Sequence, residues 1–174
     1  NRRSGRRRGA SPRRLPRVSL LQKLIGAGLR PHVKRRARGV TLEQAAVNLE
    51  KSRDELRPRI MNATDTPGNR EALNHWIGIE RWSQNRLRVA QGAPFVEDRY
   101  RGYRMAEGSS LTDLQAQFFA VRDDSIGMAH ELARTGVAPT LTIKHNDLGE
   151  LTVVEWVTYM EDHPRREIIR LRGR

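Results

Sequence analysis

The sequence predicts an all-α fold: a four-helix bundle over residues 41–174, preceded by a basic, disordered tail over residues 1–40. Three observations carry this reading. Four stretches place apolar residues at helical spacing behind recognisable start signals. Positive charge is confined to one end of the chain. The 174 residues, 37% hydrophobic and only 5% aromatic, suffice for one modest core.

Of the 33 Lys and Arg residues, 14 lie in residues 1–40, which hold no Asp or Glu. Removing those 14 from 33 leaves 19 basic residues against 20 acidic ones in residues 41–174. The formal net charge of +13 is therefore a property of the tail and argues nothing about a DNA-binding face on the fold. Self-repulsion, glycines and Pro12, Pro16 and Pro31 keep most of the tail from packing. One apolar island, Val18–Ile25, has the pattern of a short amphipathic helix. Three readings of the tail stay open: a solvated extension, an arm that binds nucleic acid by releasing counterions, or an Arg-rich targeting peptide.

The chain holds no cysteine, which excludes disulfides, zinc ribbons and a cysteine nucleophile and is compatible with the cytoplasm. No apolar run approaches the roughly 18 residues that would suggest a membrane span.

The first helix begins behind Thr41, with Gln44 at capping-box spacing. Its apolar positions are Leu42, Ala45, Leu49, Leu56 and Ile60, and Pro58 is expected to end or kink it. Thr66-Pro67-Gly68 reads as turn chemistry, so the second helix is expected to start with Asn69 as its cap and to run to about Ala90. It carries Ala72, His75, Ile79, Trp82, Arg86 and Val89, stepping 3, 4, 3, 4, 3. That is the stripe of a helix facing a bundle interior. Residues 91–109 show no period and read as a long crossover connection.

The third helix is capped by Ser110 with Asp113 behind it, and ends near Gly136. Residues 140–145 read as extended and 146–149 as a turn. The fourth helix has a capping box, Thr152 with Glu155, and an inward stripe of Val153, Trp156, Met160, His163 and Glu167.

Two histidines thus occupy inward stripes on two long helices. His163 and Glu167, four residues apart, are neighbours on one helix face. If the second and fourth helices are adjacent, His75 completes a set of two imidazoles and one carboxylate. Such a set suits a divalent metal with open positions for water or substrate. The competing reading is structural. A lone His on an apolar face is often a satisfied core residue, Glu167 can pair with Arg165 or Arg170, and Pro164 can throw Glu167 off the stripe. His145 reads as a loop or capping residue. Tyr100 and Tyr103 can stack on a ligand or pin the long loop.

The run His145-Asn-Asp-Leu-Gly-Glu-Leu-Thr-Val-Val-Glu-Trp-Val-Thr-Tyr-Met-Glu-Asp-His163 resembles the last-helix signature of the DinB-like superfamily. The segment Leu73-Asn-His-Trp-Ile-Gly-Ile-Glu-Arg-Trp82 resembles that superfamily's second helix. The resemblance covers roughly residues 41–174. It implies a bundle with an up-down-down-up course, often a homodimer, with zinc or nickel held by three histidines in its core. Carried over by position, the ligands are His75, His163 and Glu167, with Glu167 standing where the family usually has a third His. Characterised relatives include transferases and isomerases that use a low-molecular-weight thiol, whose thiolate the metal would bind. The resemblance therefore implies a metal-dependent transferase or hydrolase. The alternatives are a bundle that has lost its metal, and nucleic-acid association through residues 1–40.

Overall fold

A computed structural model describes residues 20–173, with side chains from residue 28 onward. The chain is mostly helical. In order, it runs α1 (Leu20–Ala37), α2 (Leu42–Met61), α3 (Pro67–Ala90), α4 (Leu111–Thr135), β1 (Thr142–His145), β2 (Gly149–Thr152) and α5 (Val153–Glu167). Short 3-10 helices cover Tyr100–Tyr103 and Ile168–Arg170. The four predicted helices are α2 to α5. Each of α2 and α3 packs on both α4 and α5, so the second and fourth predicted helices are neighbours.

The local signals account for most helix ends. Thr41 and Gln44 form a reciprocal capping box, as do Thr152 and Glu155. Ser110 Oγ accepts from Asp113 N at 3.1 Å. α4 stops at Gly136, whose φ of 72° lies in the left-handed region. α3 starts three residues earlier than expected. Thr66 is its cap, accepting from Asn69 N at 3.1 Å, and Pro67 occupies the first turn, where its missing N–H costs nothing. Asn69 does a different job. Its Nδ2 donates to the carbonyls of Thr64 at 2.7 Å and Arg172 at 2.8 Å, and its Oδ1 accepts from Arg172 N at 3.1 Å. The last residues are thereby tied to the start of α3. Pro58 does not end α2, which continues to Met61.

Two expectations need correction. The fold is not purely helical, because β1 and β2 pair antiparallel, with His145 opposite Gly149. His145 closes this hairpin: its Nδ1 accepts from the backbone N–H groups of Asp147 and Leu148, each at 3.1 Å. Nor does the fold begin at residue 41. α1 docks on α5, with Val33 fully buried. Arg36 reaches Asp162 Oδ1 at 2.7 Å and Glu161 Oε2 at 2.9 Å, and His32 Nε2 lies 3.2 Å from Asp162 Oδ2. Both acids are almost wholly buried and need cations beside them. Burial pushes the Asp162 carboxyl up, but hydrogen bonds from His32 and Arg166 outweigh it and hold the group below the usual carboxylate range. The end of the segment read as a self-repelling tail is thus the counter-charge of α5. The tail readings that concern residues 1–19 lie outside the described residues.

The apolar core falls into two clusters. One gathers Leu49, Ile79, Trp82, Leu132, Trp156 and Met160. The other gathers Leu56, Ile60, Leu73, Trp76, Leu114 and Phe118. Along α4, the buried residues that fall between them are Arg122 and Ser125, both fully enclosed. Arg122 Nε lies 2.9 Å from Glu80 Oε1. Burial pushes the Glu80 carboxyl up, and the Arg122 guanidinium opposes it. Gln84 Nε2 donates to Ser125 Oγ at 3.0 Å and to the Val121 carbonyl at 2.9 Å.

Candidate metal centre

His75, His163 and Glu167 converge. One ligand atom from each lies within 4.8 Å of the other two. His75 Nε2 is 3.7 Å from Glu167 Oε2, and His163 Nε2 is 3.8 Å from Glu167 Oε1. The imidazole rings of His75 and His163 are 5.1 Å apart, centre to centre.

The placement follows from the helices. α3 presents His75 and α5 presents His163 and Glu167, one turn apart. The outcome at Pro164 decides the last of these. A proline there removes the N–H that would bond the Met160 carbonyl. That carbonyl instead accepts from Arg122 Nη2 at 3.1 Å. α5 then continues through Pro164 to Glu167. The core ion pair thus supports the site as well as the packing.

Neighbours fix each candidate ligand. Trp76 Nε1 donates to Glu167 Oε2 at 2.9 Å, and Arg170 Nη1 lies 3.1 Å from Glu167 Oε1. Tyr100 sets its ring edge-to-face against His75 at 4.9 Å, and Tyr159 packs against His163 at 5.7 Å. Burial pushes the His163 imidazole well below its ordinary value, and the nearby His75 and arginines push the same way. Burial also lowers His75, against the opposing pull of Glu167. Both rings are therefore neutral at pH 7, which is the ligand form. His163 Nδ1 is buried with no hydrogen-bond partner.

His75 and Glu167 line an open cleft of about 530 Å³, with His163 behind them. One wall is the 3-10 helix of the long connection. It lies so close to α3 that a Cβ on Gly78 would meet the Tyr100 carbonyl oxygen at 2.8 Å and Arg104 Cγ at 2.9 Å. Glycine at 78 is what lets this loop close on the helix. The connection is further pinned at Asp98, whose Oδ1 accepts from Trp82 Nε1 at 2.9 Å and from Arg86 Nη2 at 2.8 Å, while Tyr103 donates its hydroxyl to Oδ2.

All three candidate ligands named from the sequence lie together, and His145 lies apart among Trp82, Trp156 and Tyr159. Of the cations weighed against Glu167, Arg170 pairs with it, whereas Arg165 turns to Glu161 and Glu55. Sequence reasoning missed the roles of Trp76 and Arg122. Nothing in spacing distinguishes a Trp that packs from one that also donates, and Arg122 stands beside Asp123 and Asp124, so nothing local marks it as buried. Comparison with family models, curated proteins and solved structures returned no match.

Proposed function

We propose that this chain is a divalent-metal protein of the DinB-like kind, binding zinc or nickel through His75, His163 and Glu167. The observation that carries the proposal is the convergence of three ligand atoms within 4.8 Å at the wall of a cleft. The donor chemistry fits. Two neutral imidazoles and one carboxylate leave positions open for water or substrate. The indole N–H that Trp76 holds on Glu167 is the sort of orienting contact that a ligating set requires.

A bound divalent cation would supply Lewis acidity toward a substrate oxygen or a thiol sulfur. The chain's own residues do the rest. Trp76 and Arg170 orient the carboxylate, Tyr100 holds the His75 ring, and burial keeps both imidazoles deprotonated. We read the activity as a metal-dependent transferase working with a low-molecular-weight thiol, or a hydrolase.

One observation favours a second reading. Trp76 and Arg170 already satisfy Glu167, as a bundle that had lost its metal would require. Elemental analysis of the purified protein separates the two. The metal reading predicts about one zinc or nickel per chain and a rise in thermal stability with added metal, of about 3 kcal/mol at a hundredfold excess over Kd, that His75→Ala abolishes. A metal-free preparation whose response to zinc and nickel is the same with and without His75 favours the scaffold.

A further inference from the structure

Four arginines line the cleft that His75 and Glu167 face: Arg101, Arg104, Arg170 and Arg172. Two are matched by acids of the same cleft. Arg104 Nη1 lies 2.9 Å from Glu71 Oε1, and Arg170 pairs with Glu167. Arg101 and Arg172 have no acidic partner among the described residues. Among the described residues the cleft therefore carries two uncompensated positive charges, although residues 41–174 as a whole are close to neutral.

Both guanidiniums are exposed, but the backbone that carries each is fixed. Arg172 is held at its backbone on both sides, its N–H by Asn69 Oδ1 and its carbonyl by Asn69 Nδ2 and Thr64 N. Arg101 lies in the 3-10 helix that Gly78 allows against α3. Two distant parts of the chain thus bring like charges to one concavity, where an anion would meet both. A guanidinium is the side chain that matches a planar or tetrahedral oxyanion with paired N–H donors. A volume of about 530 Å³ suits a small molecule.

We propose that Arg101 and Arg172 form an anion subsite that binds a carboxylate or phosphate group of the substrate, placing the rest of the molecule toward His75 and Glu167. The inference rests on the metal reading for what happens at the far end of the substrate, but anion binding itself does not require the metal.

The test is calorimetric titration of the chelator-treated full chain with inorganic phosphate and with succinate, at low ionic strength, with succinamide as the neutral control. One of the two anions binds with a Kd of about 1 mM, and succinamide does not. Arg101→Ala with Arg172→Ala weakens that binding about tenfold or more. A charge-matched pair outside the cleft, Arg38→Ala with Arg88→Ala, leaves it within about twofold, which separates the subsite from general attraction to the basic chain. Glu71→Gln, which frees Arg104, strengthens it about threefold. Whichever of phosphate and succinate binds more tightly identifies the group. The proposal is overturned if neither anion binds up to about 20 mM, or if the two double variants lose affinity equally. Zinc titration of the same preparations keeps the outcomes apart. Anion binding without zinc binding contradicts only the metal centre, and zinc binding without anion binding contradicts only the subsite.

Discussion

Arg122 Nη2 donates at 3.1 Å to the carbonyl oxygen of Met160, the acceptor that Pro164 leaves without its helical partner. One buried guanidinium therefore neutralises Glu80, repairs α5 and keeps Glu167 in line with His163. Arg122→Met is expected to cost about 3–5 kcal/mol in urea unfolding, because it strands the Glu80 carboxylate in the core. Arg122→Met combined with Glu80→Leu should regain most of that stability while still leaving the Met160 carbonyl open. A single variant as stable as the wild type would remove Arg122 from this role.

Trp76 joins α3 to the carboxylate of α5 through a 2.9 Å hydrogen bond. Trp76→Phe keeps a ring in the cluster with Phe118 and deletes the donor. Zinc affinity, measured by competition with a chelator, should fall about tenfold or more, as for other residues that orient a ligand. The accompanying loss of stability should be about 1–3 kcal/mol. Unchanged zinc affinity would mean that Glu167 needs no orientation.

Gly78 is where the long connection touches α3. Gly78→Ala gives the backbone a better helix former, yet its methyl group would sit 2.8 Å from the Tyr100 carbonyl oxygen. We expect a net loss of about 1–3 kcal/mol from overpacking, with a rise in protease cleavage within residues 91–109. A stabilised variant with an intact connection would show that the loop does not close on the helix.

His145 sets a pH dependence. Burial pushes its imidazole from an ordinary value of 6.5 down to about 3, and Arg86 adds to the effect. A histidine lowered in the folded state contributes stability that is fully present above pH 6.5 and lost as pH falls toward 3. The loss amounts to about 2 kcal/mol by about pH 5. His145→Asn offers an amide oxygen to the same two N–H groups and cannot titrate. Its urea midpoint should be lower than wild type at neutral pH but should fall less between about pH 7 and pH 5. Parallel pH profiles would contradict the assignment.

The helices were legible because their ends are local chemistry. Thr41 with Gln44, Ser110 with Asp113, Thr152 with Glu155 and Gly136 all act within four residues of themselves. The convergence of His75, His163 and Glu167 was legible because two stripes with alternating three- and four-residue steps must face the same interior. What the sequence concealed is long-range. Arg36 meets Glu161 and Asp162 across more than a hundred residues, so α1 looked like free charge. Arg122 takes up the carbonyl that Pro164 leaves open, so the kink or end that Pro164 made possible does not displace Glu167. β2 was hidden because its four residues, Gly149–Thr152, overlap the capping signal of α5.

The central claim is that His75, His163 and Glu167 hold one divalent cation. X-ray absorption spectroscopy of the zinc-loaded chain tests it most directly, because it reads the ligand types at the metal. The account predicts two imidazole nitrogens at about 2.0 Å with carboxylate or water oxygen completing the shell, and one imidazole fewer in His163→Ala. A shell of oxygen alone, or a wild-type spectrum retained in His163→Ala, would contradict it.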